Sequence, residues 1–167
     1  MGLAISIKRR KLQPNLAAAV VPSYNGGSAY LILTKYNNYA GIGTGDGVNK
    51  LAVLDPNETQ PDEYSSPSVP VMREVLTITG RTPEPQRGFP NAVGEWCINS
   101  AVVDPITKSA IVNNEDGSAY RWSFENNTLS ESIGLTDGAR EAYTPTVIGV
   151  DGTAYIISDG FLFAVGK

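Results

Sequence analysis

Asn99-Ser-Ala-Val-Val-Asp-Pro105, Ser109-Ala-Ile-Val-Asn-Asn114, Ser118-Ala-Tyr-Arg-Trp-Ser-Phe124 and Thr128-Leu-Ser-Glu-Ser-Ile-Gly-Leu135 are short runs that follow one another almost without interruption. Each alternates apolar and polar residues with a period of two, the period of a strand with one face turned to a core. The punctuation between them is Asp104-Pro105, Asp116-Gly117 and Asn126-Asn127. Asp-Gly and Asn-rich pairs supply the left-handed backbone that tight hairpins need. Four consecutive antiparallel strands are therefore predicted over 99–135.

The same order recurs on both sides. Downstream, Thr144-Pro-Thr-Val-Ile-Gly-Val150 leads through Asp151-Gly152 to Thr153-Ala-Tyr-Ile-Ile-Ser158, then through Asp159-Gly160 to Phe161-Leu-Phe-Ala-Val165. Upstream, with longer loops, Ala17-Ala-Ala-Val-Val-Pro22 is followed by Ser28-Ala-Tyr-Leu-Ile-Leu-Thr34, Asn49-Lys-Leu-Ala-Val-Leu-Asp55 and Val71-Met-Arg-Glu-Val-Leu-Thr-Ile78. Ser28-Ala-Tyr, Ser109-Ala-Ile and Thr153-Ala-Tyr open equivalent strands. A repeat of roughly 40 residues with four strands is the pattern of a β-propeller blade. The expected fold is all-β: one domain over 1–167 with about three four-stranded antiparallel blades, near 12–80, 95–136 and 141–167. The last copy stops after its third strand, and Gly2-Leu-Ala-Ile-Ser-Ile-Lys8 has the pattern to complete it, so 1–10 is assigned to that blade. Three blades do not close a ring, since propellers typically begin at about four. The expected partner is a second copy, giving a homodimer with a closed six-bladed ring.

Residues Glu115-Asp-Gly-Ser-Ala-Tyr-Arg-Trp-Ser-Phe-Glu-Asn-Asn-Thr-Leu129 and Asp151-Gly-Thr-Ala-Tyr-Ile-Ile-Ser-Asp-Gly-Phe-Leu-Phe-Ala-Val165 resemble the pyrroloquinoline-quinone-like β-propeller repeat. From Tyr36 to Val165 the chain is also similar to the C-terminal half of uncharacterised bacterial propeller proteins with this repeat. The resemblance implies a ring of about six to eight blades. Quinoprotein dehydrogenases of the wider group add vicinal cysteines, calcium ligands and a catalytic Asp. This chain has one cysteine, and no position matches the catalytic Asp. Pyrroloquinoline quinone is therefore not expected as a cofactor, while calcium stays open.

Composition narrows the function further. There are 17 Gly and 11 Pro, and only 18% of residues are charged, the profile of a turn-dense β-protein. The net charge is −4, and Lys8-Arg9-Arg10-Lys11 is a run of consecutive positives, so the rest is more acidic still. Nucleic acid is not an expected partner for such a surface. The chain has no His, which excludes His-dependent triads and His-ligated metal sites. Cys97 stands alone, so no intrachain disulfide forms. No apolar run approaches the ~18 residues of a membrane span. A signal peptide places basic residues before the apolar ones, and here the order is reversed. The expectation is a soluble chain, with a periplasmic or secreted parent left open.

Two constellations are candidates for binding. Glu95-Trp-Cys-Ile-Asn-Ser-Ala-Val-Val103 aligns without gaps to Glu141-Ala-Tyr-Thr-Pro-Thr-Val-Ile-Gly149. Each Glu precedes the first strand of its repeat, which places Glu95 and Glu141, with Trp96 and Tyr143, at equivalent points beside a central channel. Carboxylates flanked by aromatics suit a cation, a sugar or a peptide amine. The alternative is that each Glu caps local backbone and each aromatic fills a gap. The second is Gly41-Ile-Gly-Thr-Gly-Asp-Gly-Val-Asn49, whose Asp46 and Asn49 are candidate calcium ligands. A plain glycine-rich hairpin loop is the competing reading. Asn113-Asn-Glu-Asp116 carries more oxygens, but Asn and Asp are expected at a tight hairpin. Pro56–Pro70 and Gly80–Pro90 read as long loops. The expected function is a non-catalytic binding or scaffold module. The alternative is half of a propeller enzyme whose carboxylate-lined pocket needs more blades.

Overall fold

The computed structural model describes residues 13–22, 28, 30–63, 66–137 and 141–166. The strand expected at Gly2–Lys8 and the basic run Lys8–Lys11 lie outside the described residues. The described chain contains strands and no helix: β1 (Gln13–Pro22), β2 (Tyr30–Asn37), β3 (Lys50–Pro61), β4 (Pro70–Thr79), β5 (Val102–Asp104), β6 (Ser109–Asn113), β7 (Ser118–Ser123), β8 (Thr128–Gly134), β9 (Val147–Ile148), β10 (Ala154–Ser158) and β11 (Phe161–Val165). They form three antiparallel sheets in chain order: a four-stranded sheet β1–β4, a four-stranded sheet β5–β8 and a three-stranded sheet β9–β11. No helix among the described residues is long and apolar enough to cross a membrane.

The alternation seen in the sequence decides which face meets which sheet. In β2, Leu31, Leu33, Lys35 and Asn37 are buried, and the residues between them are less so. Leu31 and Leu33 join Val21, Leu51 and Val53 against Ala110, Val112, Tyr120, Trp122 and Leu129 of the second sheet. The other face of that second sheet, with Ile111 and Ala119, packs on Ala154 and Ile156 of β10. Sheet β5–β8 is therefore central, with a neighbour on each side, and among the described residues the outer sheets each pack by one face only. Trp122 is the largest component of the first interface together with Trp96. Its ring stands edge-on to Phe124 at 5.3 Å, and its Nε1 donates to Asn127 Oδ1 at 2.9 Å. Asn127 Nδ2 in turn donates to the Thr77 carbonyl, tying the β7–β8 turn to β4.

Three strand limits differ from the sequence expectation. β3 runs on through Pro56 to Pro61, so the loop expected over 56–70 contracts to the short connection before β4 at Pro70. Pro56 is tolerated because the register jumps between Asp55 and Thr59, a bulge that takes the proline out of the ladder. β1 begins at Gln13, earlier than the expected Ala17. β5 is only Val102–Asp104, because Asn99, expected inside it, turns its side chain into a buried polar network.

The meander has a simple geometric consequence. With every strand antiparallel to the next, the β2–β3, β6–β7 and β10–β11 turns share one end of the stack. The β4–β5 and β8–β9 connections lie at that same end. At this end Gly47, at φ 78°, sits so close to Ala92 that an added Cβ would come within 2.5 Å of the Ala92 side chain. The β2–β3 loop and the long β4–β5 connection are thus pressed together where the candidate residues lie.

Candidate functional site

Three carboxylates approach one another at this end closely enough to feel each other's charge, each from a different connection. Glu95 comes from the β4–β5 connection, Glu115 from the β6–β7 turn and Glu141 from the β8–β9 connection. The backbone brings the first two side by side: Glu115 N–H donates to the Glu95 carbonyl at 2.9 Å. The Glu115 carboxyl shares a hydrogen bond with Glu141. Two phenols complete the group. Tyr39, from the β2–β3 loop, donates to Glu95, and Tyr143 donates to Glu141. All three carboxylates are half-buried, and Tyr143 is 67% exposed, so the cluster is open to solvent on one side.

Crowding like charges at a partly desolvated place separates their proton affinities. Burial pushes Glu115 up to about 8, helped by its hydrogen bond to Glu141 and by the charges of Glu95, Glu141 and Glu84. Glu141 is held below its ordinary value, first by accepting from Glu115 and then from Tyr143. The pair therefore keeps one proton near neutrality, carried by Glu115 and pointed at Glu141. Burial also raises Glu95, with Glu84 and Glu141 adding to the rise and the Tyr39 hydrogen bond opposing it. Tyr39 is pushed up to about 12 by burial and by its bond to Glu95, so it remains a donor.

Stability should register this proton. Glu115 has an ordinary value of 4.5 in the unfolded chain and about 8 in the fold. Between those values the folded chain binds the proton that the unfolded chain has released. Its contribution is thus complete below pH 4.5 and is lost as pH rises through 8. Because the carboxyl is only half-buried, solvent screening holds the effect to about 1–2 kcal/mol. Glu115→Gln, which imitates the protonated acid, should melt a few degrees above the parent at pH 8 and close to it at pH 4.5. Thermal melts across that range check this. A variant equally or less stable at pH 8 would show that the shared proton is absent.

The sequence had named Glu95, Glu141 and Tyr143, and these three lie together. Trp96 does not join them. It was expected beside the mouth, but its side chain is 0% exposed and packs edge-on to Tyr120, with ring centres 5.9 Å apart. The cause is Asn37, whose side chain donates to the Trp96 carbonyl and accepts from the Trp96 N–H, at 2.9 Å each. This pair of hydrogen bonds to the backbone turns the indole inward, between the first and central sheets.

Asp46 and Asn49, the candidate calcium ligands, are engaged within their own loop. Asp46 Oδ1 accepts from Asn38 Nδ2 and from Val48 N–H. Asn49 Oδ1 accepts from Asn38 N–H, and its amide donates to the Val93 carbonyl. Among the described residues no three acidic, Cys or His side chains are grouped so as to hold a metal ion. These contacts give both residues a task in shaping the glycine-rich loop. Glu115 and Tyr39 are the members that sequence reasoning missed.

Beneath the cluster lies the buried polar network. Lys35 Nζ donates to the carbonyls of Cys97 and Asn99 at 2.6 and 2.7 Å and to Asn99 Oδ1 at 3.0 Å. Asn99 Nδ2 donates onward to Asn113 Oδ1, the Thr144 carbonyl and Thr146 Oγ1. Thr146 Oγ1 also donates to Asn113 Oδ1 at 2.9 Å. Burial lowers Lys35 to about 8 and raises the neighbouring Cys97 thiol to about 11. Away from this end, a cleft of about 180 Å³ between the central and third sheets has mostly aliphatic walls, including Ile111, Ile133, Ala154 and Val165.

Neither a protein-family model nor a curated protein matches this chain.

Proposed function

We propose that this chain is a non-catalytic binding module of the β-propeller type, and that its acidic mouth takes an organic cation such as a primary amine. The blade reading is supported by the three consecutive meanders stacked face to face, and by β5 lying against both β1 and β9. The likeness to the pyrroloquinoline-quinone-like repeat belongs to the same reading. The observation that carries the binding proposal is the meeting of Glu95, Glu115 and Glu141 with Tyr39 and Tyr143 on connections from three sheets. An ammonium group offers three N–H donors to carboxylates that otherwise must share a proton. Tyr143 adds an exposed aromatic face for cation–π contact.

Titration with n-butylammonium, followed by NMR of the glutamate carboxyls, tests this. Shifts at Glu95, Glu115 and Glu141 that are absent with n-butanol, and lost in Glu95→Gln/Glu141→Gln, are expected. Binding should release the shared proton and so strengthen as pH rises from 6 to 9. Equal response to amine and alcohol, or none to either, overturns the reading. Stoichiometric uptake of pyrroloquinoline quinone with calcium would replace it with the enzyme alternative.

The ring belongs to the same proposal. Among the described residues each outer sheet packs by one face only, and a second copy placed by a two-fold axis would cover both remaining faces, closing six sheets into a ring.

A further inference from the structure

We infer that Lys35 is the positioning residue of the acidic mouth: its ammonium, held between sheets, sets the distance between the segment bearing Glu95 and the segment bearing Glu141. This rests on the mouth being the binding site, though the test below does not need a ligand. Glu95 and Glu141 sit on different connections, and no strand joins those connections to each other. Beside the Glu115 link and the bond of the Ala142 backbone to Cys97, the network joins them. Lys35, on β2, holds the backbone of Cys97 and Asn99 directly after Glu95. Asn99 then holds the Thr144 carbonyl and Thr146, directly after Glu141 and Tyr143. Thr146 N–H adds a bond to the Ser100 carbonyl. Remove Lys35, and the Asn99 junction that links the two segments loses its bond to the first sheet, while Asn37 still holds Trp96.

The geometry suits a lysine ammonium. Three acceptors face Nζ, matching three ammonium protons in number, and none of them is a carboxylate. A buried ammonium without a counter-ion is costly, and lysine is a demanding choice for a contact that serves packing alone. The titratable group acting on it is the Cys97 thiol. Those facing the mouth are Tyr39, Glu84, Glu95, Glu115, Glu141, Tyr143 and Cys97.

The two ways in which Lys35 can influence the carboxylates have opposite signs. Deleting a positive charge strengthens proton binding by nearby carboxylates. Letting Glu95 and Glu141 move apart and open to water weakens it. The test is therefore the shared proton of Glu115 and Glu141, followed by carboxyl NMR from pH 4 to 10 in the parent, Lys35→Met, Thr146→Val and the core variant Val53→Ala. The expected result is at least a tenfold weaker proton affinity in Lys35→Met, a smaller loss of a few-fold in Thr146→Val, and no change in Val53→Ala. Unchanged or stronger proton binding in a folded Lys35→Met overturns the inference, as does an equal loss in Val53→Ala. If Lys35→Met does not fold, Thr146→Val decides, and an unmoved midpoint there overturns it. Failure of n-butylammonium to bind overturns the ligand proposal and leaves this result standing.

Discussion

Trp122→Ala should cost the fold about 3–5 kcal/mol, the usual loss when a large aromatic is cut from a core that cannot collapse around the gap. Trp122 is fully buried, and it fills the space between the first and central sheets with Phe124 edge-on to it. The loss is not only volume. Asn127 Oδ1 loses its donor, and Asn127, at φ 52°, is already in a left-handed conformation held by its side-chain bonds. Set against the roughly 5–15 kcal/mol that keeps a typical domain folded, this removes a large part of the total. Urea denaturation is the measurement. Trp122→Phe, which keeps a ring and drops the hydrogen bond, should lose clearly less. A Trp122→Ala cost below about 1 kcal/mol would mean that this indole is not what joins the two sheets.

Light scattering should give about twice the 17.8 kDa of one chain. The three sheets differ in how they are covered. The central sheet has a neighbour on each face and buries β6 throughout, with its outer strand β8 largely exposed. The outward face of the third sheet presents a row by register: Val147 beside Tyr155, and Ile157 beside Leu162, with Leu162 67% exposed. The outward face of the first sheet presents Val20 beside Ile32 and Pro22 beside Tyr30, with Val20 65% exposed. Apolar sheet faces of this kind seek cover. Packing the first sheet of each copy on the third sheet of the other covers both pairs with one symmetry operation. Leu162→Lys should shift the mass to that of a single chain, while Ile106→Lys, at an exposed turn residue, should not. A monodisperse monomer from the parent would remove the ring-closure proposal.

The strand order was legible because hairpin punctuation and period-two alternation are local properties. Asp116-Gly117 and Asp159-Gly160 announce their turns by composition, and Gly117 and Gly160 have positive φ. Strand ends were less legible where a side chain does unusual work. Asn99 reads as one more polar residue of an alternating strand, and only the partner Lys35, distant in sequence, explains why the strand begins after it. Pro56 reads as a loop because a bulge is invisible in composition. The site was legible for Glu95 and Glu141 through their matching place before a first strand. Glu115 was hidden by Asn113-Asn-Glu-Asp116, whose neighbours have the ordinary task of making a turn: Asn114 Oδ1 accepts from Asp116 N–H and Asp116 Oδ1 from Ser118 N–H. One topological signal was present all the same. In a meander every second turn returns to the same end, so the residues of the β6–β7 turn had to lie near the connections entering β5 and β9. Trp96 shows the limit of pattern matching, since alignment with Ala142 said nothing of the Asn37 side chain that reverses it.

Cys97 makes the molecule its own clock. It is the single sulfhydryl of the chain, it is buried, and its burial holds the thiolate form back until about pH 11. A disulfide reagent reacts only with exposed thiolate, so each modification event must wait for an excursion that lifts the Cys97 segment away from Lys35. The rate of labelling at rising reagent concentration should therefore level off at the rate of that excursion, and the slower limit before it gives the equilibrium fraction of time the junction stands open. With no second sulfur to compete, a colour change read in a simple cuvette would time the breathing of the junction between sheets, without isotopes or an added probe.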